Sequence, residues 1–257
     1  MNSSNEDGIN MTTIEGIIDN DGEMVHTYNT FTNIGRINNN LQFNNIATFN
    51  NDSLVINTTN AVINNGGSIN NNRHILITQS SILQNSNILN NTSSITLNGI
   101  LENKIVGSNT GNFTNNGNLN INSTAELKNY ATMTNDDKVM IIGKMKNYLT
   151  GSITNNDTII NKNIVNNYGT ITNISSFLND TEGTITNYNI LQNNITGTFE
   201  TTNIIVNKGL NASNNDSVTL TGITGTLHSH GAFNLNSGYL DNQDTLNSVI
   251  VGTFNIR

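Results

Sequence analysis

The chain has 257 residues, no cysteine and no proline, and 18 acidic side chains against 10 basic ones, for a formal charge of −8. The missing thiols exclude disulfides and thiolate metal centres. The acidic balance excludes nucleic-acid binding through a basic surface, which needs clustered Lys and Arg. Only 11% of residues are charged and 34% hydrophobic, yet the absence of proline and the wealth of Ile, Val and Thr are not a disordered composition. Asparagine occurs 58 times and lysine seven times. AT-rich codons would raise both, so the asparagines answer a structural need.

Residues 1–30 form the most acidic segment, with Glu6, Asp7, Glu15, Asp19, Asp21 and Glu23. They read as an N-terminal cap, because charge at an open sheet end discourages end-to-end pairing. The opening MNSSNEDGINMTT lacks the basic and apolar regions of a secretory signal. No apolar run along the chain approaches the roughly 20 residues of a membrane span.

From residue 31 to 210 one phrase recurs: an apolar residue, any residue, then Asn. Ile37-Asn38-Asn39, Phe43-Asn44-Asn45, Phe49-Asn50-Asn51, Ile153-Thr154-Asn155 and Ile171-Thr172-Asn173 are examples. The apolar anchors step by six across Ile37, Phe43, Phe49 and Val55, and again across Ile153, Ile159, Val165, Ile171 and Phe177. Helical spacing is not sustained anywhere, so the phrases predict short strands separated by turns.

A longer period lies above the short one. Asn-Tyr recurs at Tyr130, Tyr148, Tyr168 and Tyr188, with spacings of 18, 20 and 20. Leu127, Met145, Val165 and Ile185 stand three residues before each Tyr. Extending that column by the same step reaches Phe49, Ile69, Ile88, a gap at Gly107, and Ile205. Three anchors per step of about 19 to 20 residues predict an all-β fold, a single-stranded parallel β-helix (a β-solenoid) with three strands per coil. A strict six-residue repeat would favour a left-handed coil, and the extra residues favour a right-handed one. Asn near each corner can hydrogen-bond to its counterparts along the axis and satisfy turn backbone groups. Gly169 and Gly183 are expected to take corner conformations that other residues avoid. Residues 211–257 keep some alternation and read as irregular terminal coils with a C-terminal cap.

The phrases Gly169-Thr-Ile-Thr-Asn173 and Gly183-Thr-Ile-Thr-Asn187 resemble the repeats of filamentous-haemagglutinin-type and autotransporter adhesins. The resemblance covers roughly residues 35 to 210. It implies a right-handed β-helix on a bacterial surface, and the missing signal departs from the adhesin pattern.

Candidate chemistry is sparse. His228 and His230 flank Ser229 on one side of a strand, but no third ligand is evident, so no metal site and no cofactor is assigned. Asp136-Asp137 and His230 faintly resemble the acids and histidine of polysaccharide-cleaving β-helix enzymes. Several coils separate them, too far to serve one bond, so catalysis is not expected. Tyr130, Tyr148, Tyr168 and Tyr188 predict an aromatic stripe along one corner, able to stack on sugar rings, meet a protein, or simply stabilise the coil. Thr132/Thr134, Ser152/Thr154 and Thr170/Thr172 pair outward hydroxyls, as ice-binding solenoids do, until Ile190 and Gln192 break the column. The sequence therefore predicts a non-enzymatic structural or adhesive surface module, extracellular or on a virion, with a glycan or protein ligand. The alternative is a fibre or shaft protein that oligomerises, with ice binding and polysaccharide cleavage ranked below.

Overall fold

In the computed structural model each six-residue phrase becomes a four-residue strand and a corner, as in Thr48–Asn51, Leu54–Asn57 and Val62–Asn65. These three begin the naming of the first, second and third faces. The structure describes residues 13–14, 16–107, 109–180 and 182–193, and then the backbone of strands 198–201, 204–207, 211–214, 218–220, 226–229, 232–235, 240–242 and 254–256. Within a strand the second and fourth residues are buried and the first and third are partly exposed. That is the two-residue period of a sheet with one dry face. Each strand pairs in parallel with the strand one coil away, so consecutive strands fall on three different sheets. The fold is a three-sided parallel β-solenoid.

The chain divides into two compact units, Met1–Thr132 and Met133–Arg257. In the first unit, Phe49, Ile69 and Leu89 stack inside the first face, Val55, Ile75 and Ile95 inside the second, and Ile63, Leu83 and Leu101 inside the third. In the second unit the columns are Ile153–Ile171, Val139–Ile159–Phe177 and Met145–Val165–Ile185. Burying one such side chain contributes about 1.5–3 kcal/mol. A single coil leaves its column open above and below, so that contribution is complete only in a stack. Strands also pair within the acidic segment, where Ile17–Asn20 lies against Arg36–Asn39 and Glu23–His26 against Gln42–Asn45.

The column drawn back from the tyrosines needs correction. Phe49 and Ile69 lie on the first face, whereas Met145, Val165 and Ile185 lie on the third. The partner of Ile69 is Leu89, and Ile88 points outward opposite Ser68. The count slips because coils differ in length. Three plain phrases make 18 residues, as from Ile153 to Ile171. A coil of 20 holds two more residues, which close a tight turn at one corner. Gly151 N–H donates to Tyr148 O at 2.8 Å in the coil from Met145 to Val165, and Ala61 N–H to Thr58 O at 3.0 Å. A short antiparallel ribbon, Ile105–Val106 against Asn109–Thr110, then lengthens the coil that follows Leu89.

The role expected of the corner glycines also changes. Left-handed backbone is found at Asn29, Asn60, Ser80 and, among described glycines, at Gly107. Gly169 has no such φ. A Cβ there would stand 2.2 Å from Gly151 O and 2.3 Å from Tyr148 O, so the position demands close approach of stacked backbones.

The fourth strand position is the second structural column, and on the first and third faces it is Asn. Asn33, Asn51, Asn71, Asn91 and Asn115 are each fully buried. Each of the first four donates through Nδ2 to the Oδ1 of the next rung at 2.7–2.8 Å. On the third face Asn45, Asn65, Asn85, Asn103 and Asn129 are linked likewise. The same group reaches turn carbonyls: Asn45 Nδ2 also meets Ala47 O at 3.1 Å in its own corner and Ser68 O at 2.9 Å in the next coil. Buried corner backbone is thereby satisfied where no sheet partner exists. In the second unit, Asn135–Asn155–Asn173 and Asn147–Asn167–Asn187 repeat the arrangement. The second face holds the same ladder at Asn20–Asn39–Asn57 and at Asn161–Asn179, and departs from it between them, where Ile77, Leu97, Ile121 and Ile141 fill the rung position and are buried.

The ladders have a direction. Inner amides donate toward the C-terminal coil, whereas outward and corner amides donate toward the N-terminal coil, as in Asn90 to Asn70 to Asn50 at 2.9 Å each. Acceptor-only carboxylates head several outer ladders: Asp19 takes Asn38, Asp21 takes Asn40, and Glu23 takes Asn44. An inner ladder needs a donor at its head. On the third face His26 Nδ1 supplies it, 2.7 Å from Asn45 Oδ1. On the first face Ile14 occupies the register position before Asn33 and offers no donor, which leaves Asn33 Oδ1 buried without a partner.

Two substitution pairs test this register in chemical denaturation. Ile171→Asp buries an unpaired carboxylate and costs several kcal/mol, whereas Thr172→Asp faces outward and costs well under 1 kcal/mol. Asn65→Ala strips partners from buried groups on both sides and costs about 2–3 kcal/mol, against less than 1 kcal/mol for Asn64→Ala. Equal losses within either pair contradict the assigned faces.

Candidate functional site

The residue after each third-face ladder Asn opens the corner toward the first face. Its backbone N–H is held by the ladder residue one coil back: Tyr168 N–H donates to Asn147 O and Tyr188 N–H to Asn167 O, each at 2.7 Å. The side chain is therefore projected outward once per coil, whatever its identity. In the second unit it is Tyr148, Tyr168 and Tyr188. Ring centroids of Tyr148 and Tyr168 lie 6.4 Å apart at 26°, and those of Tyr168 and Tyr188 lie 4.4 Å apart at 7°. Tyr130 holds the same corner position in the first unit, its N–H on Asn103 O at 2.7 Å.

Stacking turns the ring faces of Tyr168 and Tyr188 toward each other, so the column offers ring edges and phenol hydroxyls. Partial desolvation raises the pKa of Tyr168, and hydrogen bonding and charge repulsion with Tyr188, then repulsion with Tyr148, add to it. The Tyr168 phenol thus stays neutral, a donor as well as an acceptor, beyond the range of a free tyrosine.

Beside this corner the first face presents hydroxyls in register, Ser152 opposite Thr170 and Thr154 opposite Thr172. The next strand breaks both columns with Ile190 and Gln192. Tyr168 and Thr170 are separated by Gly169 alone, so phenols and hydroxyls share one edge of the second unit. A strip of this kind can meet a partner through many weak hydrogen bonds repeated along one axis.

The remaining candidates contribute no site. His230 and the side chain of His228 lie outside the described residues. Asp136 accepts from Asn156 Nδ2 at 2.6 Å and heads an outer ladder. Among the described residues no group of three or more His, Cys, Asp or Glu could share a metal ion, and no helix is long and apolar enough to cross a membrane.

A groove of about 500 Å³ in the first unit was not anticipated from the sequence. The same corner position reads Ile46, Gly66, Ser86 and Lys104 there, two small residues between two long ones. Val106 of the protruding ribbon forms one wall, and Asn44, Asn64 and Gln84, in register on the third face, form the floor. The signal in the sequence was the interruption of the six-residue rhythm between Asn103 and Asn112. Compared with known protein families, curated proteins and solved structures, the chain matches none.

The shifted phenol gives a test. A folded pKa above the unfolded value, about 10, contributes stability that is complete below pH 10 and is lost as pH rises through the folded pKa. Thermal melts should therefore fall above pH 10, and Tyr168→Phe should flatten that fall. An identical alkaline decline in the variant would separate Tyr168 from the effect.

Proposed function

We propose that this protein is a non-enzymatic structural or adhesive module, displayed outside a cell or on a virion, that engages a partner along one side of its solenoid. The observation that carries this reading is the repetition of outward side chains in register. Tyr148, Tyr168 and Tyr188 recur at one corner, and Ser152/Thr170 and Thr154/Thr172 recur on the adjoining face. A partner that itself repeats, such as a glycan chain, meets the same contact once per coil. Individually weak contacts then add with little further cost once the first is made. Burial of the anchors from Phe31 to Ile185 beneath the sheet supports the same reading, because outward residues can serve recognition without disturbing the core.

The resemblance of the Gly-Thr-Ile-Thr-Asn phrases to adhesin repeats favours a bacterial exterior. Outward hydroxyl pairs are also what an ice-binding surface uses, but Ile190 and Gln192 end the array after a short run, which favours a soluble polymer over an extended crystal plane.

Replacing Tyr148, Tyr168 and Tyr188 together by Ser is the direct test, read on a glycan array and by pull-down from host-cell surfaces. Binding should fall at least tenfold while the circular dichroism of the β-rich fold is retained, since each of the three lost phenol hydrogen bonds is worth about 0.5–1.5 kcal/mol. Unchanged binding with a lowered melting temperature would make the column a purely structural ladder.

A further inference from the structure

The groove of the first unit carries a more specific chemistry than the repetitive side, and it does not depend on the tyrosines. Its floor is an outer amide ladder that stops halfway. Asn44 donates to Glu23 at 2.6 Å, and Asn64 donates to Asn44 Oδ1 at 2.8 Å, both in the usual direction. Gln84 should continue the series by donating to Asn64. Instead its Nε2 turns the other way, to Glu102 at 3.3 Å, and its Oε1 accepts from Lys104 Nζ at 2.8 Å. Lys128 completes the diversion by pairing with Glu102 at 3.1 Å. Among the described residues nothing donates to Asn64 Oδ1, so an open acceptor faces the middle of the groove.

Around this acceptor the walls are apolar and exposed. Val25, Ile46 and Val106 are 48%, 59% and 49% accessible, a high exposure for aliphatic side chains grouped about one hollow of about 500 Å³. Gly66 and Ser86 lower the corner between Ile46 and Lys104 and open the floor to a ligand. Glu23 and Lys104 add one anionic and one cationic group to the lining, each able to bind a hydroxyl. The pattern is an acceptor for one N–H, an apolar nook beside it, and flanking charged groups that suit hydroxyls.

We propose that this groove binds an N-acetylated hexosamine within a glycan. The acetamido N–H donates to Asn64 Oδ1, the acetyl methyl packs between Ile46 and Val106, and hydroxyls of this and the adjoining sugars meet Glu23 and Lys104. A plain hexose has a hydroxyl where the acetamido group stands and leaves the apolar nook empty. An acidic sugar gains Lys104 and meets repulsion from Glu23. An extended peptide also carries amide N–H groups, but peptides add to sheets through free backbone edges. Here the third-face strands under the groove are already paired on both sides.

The test uses the full chain and two soluble oligosaccharides of equal length and linkage, a chitin fragment and a cellulose fragment, titrated by calorimetry and by ligand-observed NMR. The chitin fragment should bind saturably, and the cellulose fragment at least tenfold more weakly. Asn64→Leu, which keeps the branched side-chain shape and deletes the acceptor, should cost about tenfold in affinity. Val106→Asp should do the same, and it lies on the ribbon outside the stacked coils, so its effect is not one of folding. The triple Tyr→Ser variant should bind the chitin fragment as the parent does, which separates this site from the repetitive side. Equal binding of the two sugars, no binding of either, unchanged affinity in both groove variants, or tighter binding of acetyl-tetraalanine amide would each overturn the proposal.

Discussion

A buried carboxamide must find partners for two protons and for its oxygen, and the structure is organised around meeting that demand by repetition. Asn51 Nδ2 serves Asn71 Oδ1 at 2.7 Å, Ser53 O at 3.2 Å and His74 O at 2.9 Å, while its own Oδ1 is served by Asn33. Nothing in this set works unless the next coil has the same residue at the same height. Identical register from coil to coil is therefore a hydrogen-bonding requirement as well as a packing preference. An apolar column alone tolerates a slip of one coil, since Ile, Leu, Val and Phe substitute for one another with modest losses. A ladder amide without its neighbour costs about 1–3 kcal/mol, so the amides supply the specificity and the aliphatic anchors supply the bulk of the burial.

The second face shows the alternative solution. Where Ile77 takes the rung position after Asn57, the Asn57 Nδ2 turns wholly to backbone, donating to Ala61 O at 3.0 Å and Ile82 O at 2.9 Å, and Ser81 Oγ in the next corner donates to Asn57 O at 3.1 Å. The buried carboxamide is again paired, with backbone acceptors alone. The solenoid thus permits either an amide or an aliphatic residue at a rung. Because the inward and outward positions alternate strictly, the same freedom holds outside. Tyr, Lys, Ser, Gly and Ile all occupy the corner position after the third-face Asn, and the backbone bond that holds the corner is unchanged.

The architecture was legible in the sequence because its two inward positions differ in kind. The alternation of an apolar anchor with Asn two residues later marks strand, face and corner together, and the Tyr spacings gave the coil length. The registry of distant coils was not legible, as the misplacing of Phe49, Ile69 and Ile88 illustrates. Two-residue corner turns at Thr58–Ala61 and Tyr148–Gly151 and the ribbon after Asn103 change coil length without changing the local phrase. A constant step drifts from one face to the next. The groove was hidden for a related reason: Glu23, Asn64 and Lys104 are far apart in sequence and line one hollow only because the coils stack in register and the ribbon walls one corner. The stacking of Tyr168 on Tyr188 was foreseeable from their equal positions in adjacent coils, whereas the reversal of Gln84 was not, since it depends on the Lys128–Glu102 pair.

The opposed directions of inner and outer ladders have an electrostatic consequence. In an α-helix every peptide dipole points the same way, so the two ends carry opposite partial charges that grow to a limit and need capping. Here a column of inner carboxamides points its N–H groups toward one end, and the outer carboxamides such as Asn50, Asn70 and Asn90 point theirs toward the other. Where both kinds occur, their axial moments oppose one another. A coil that carries both adds burial and hydrogen bonds with less net polarisation than an inner rung alone, so a stack rich in outer amides can be extended by duplication with a smaller field along its axis.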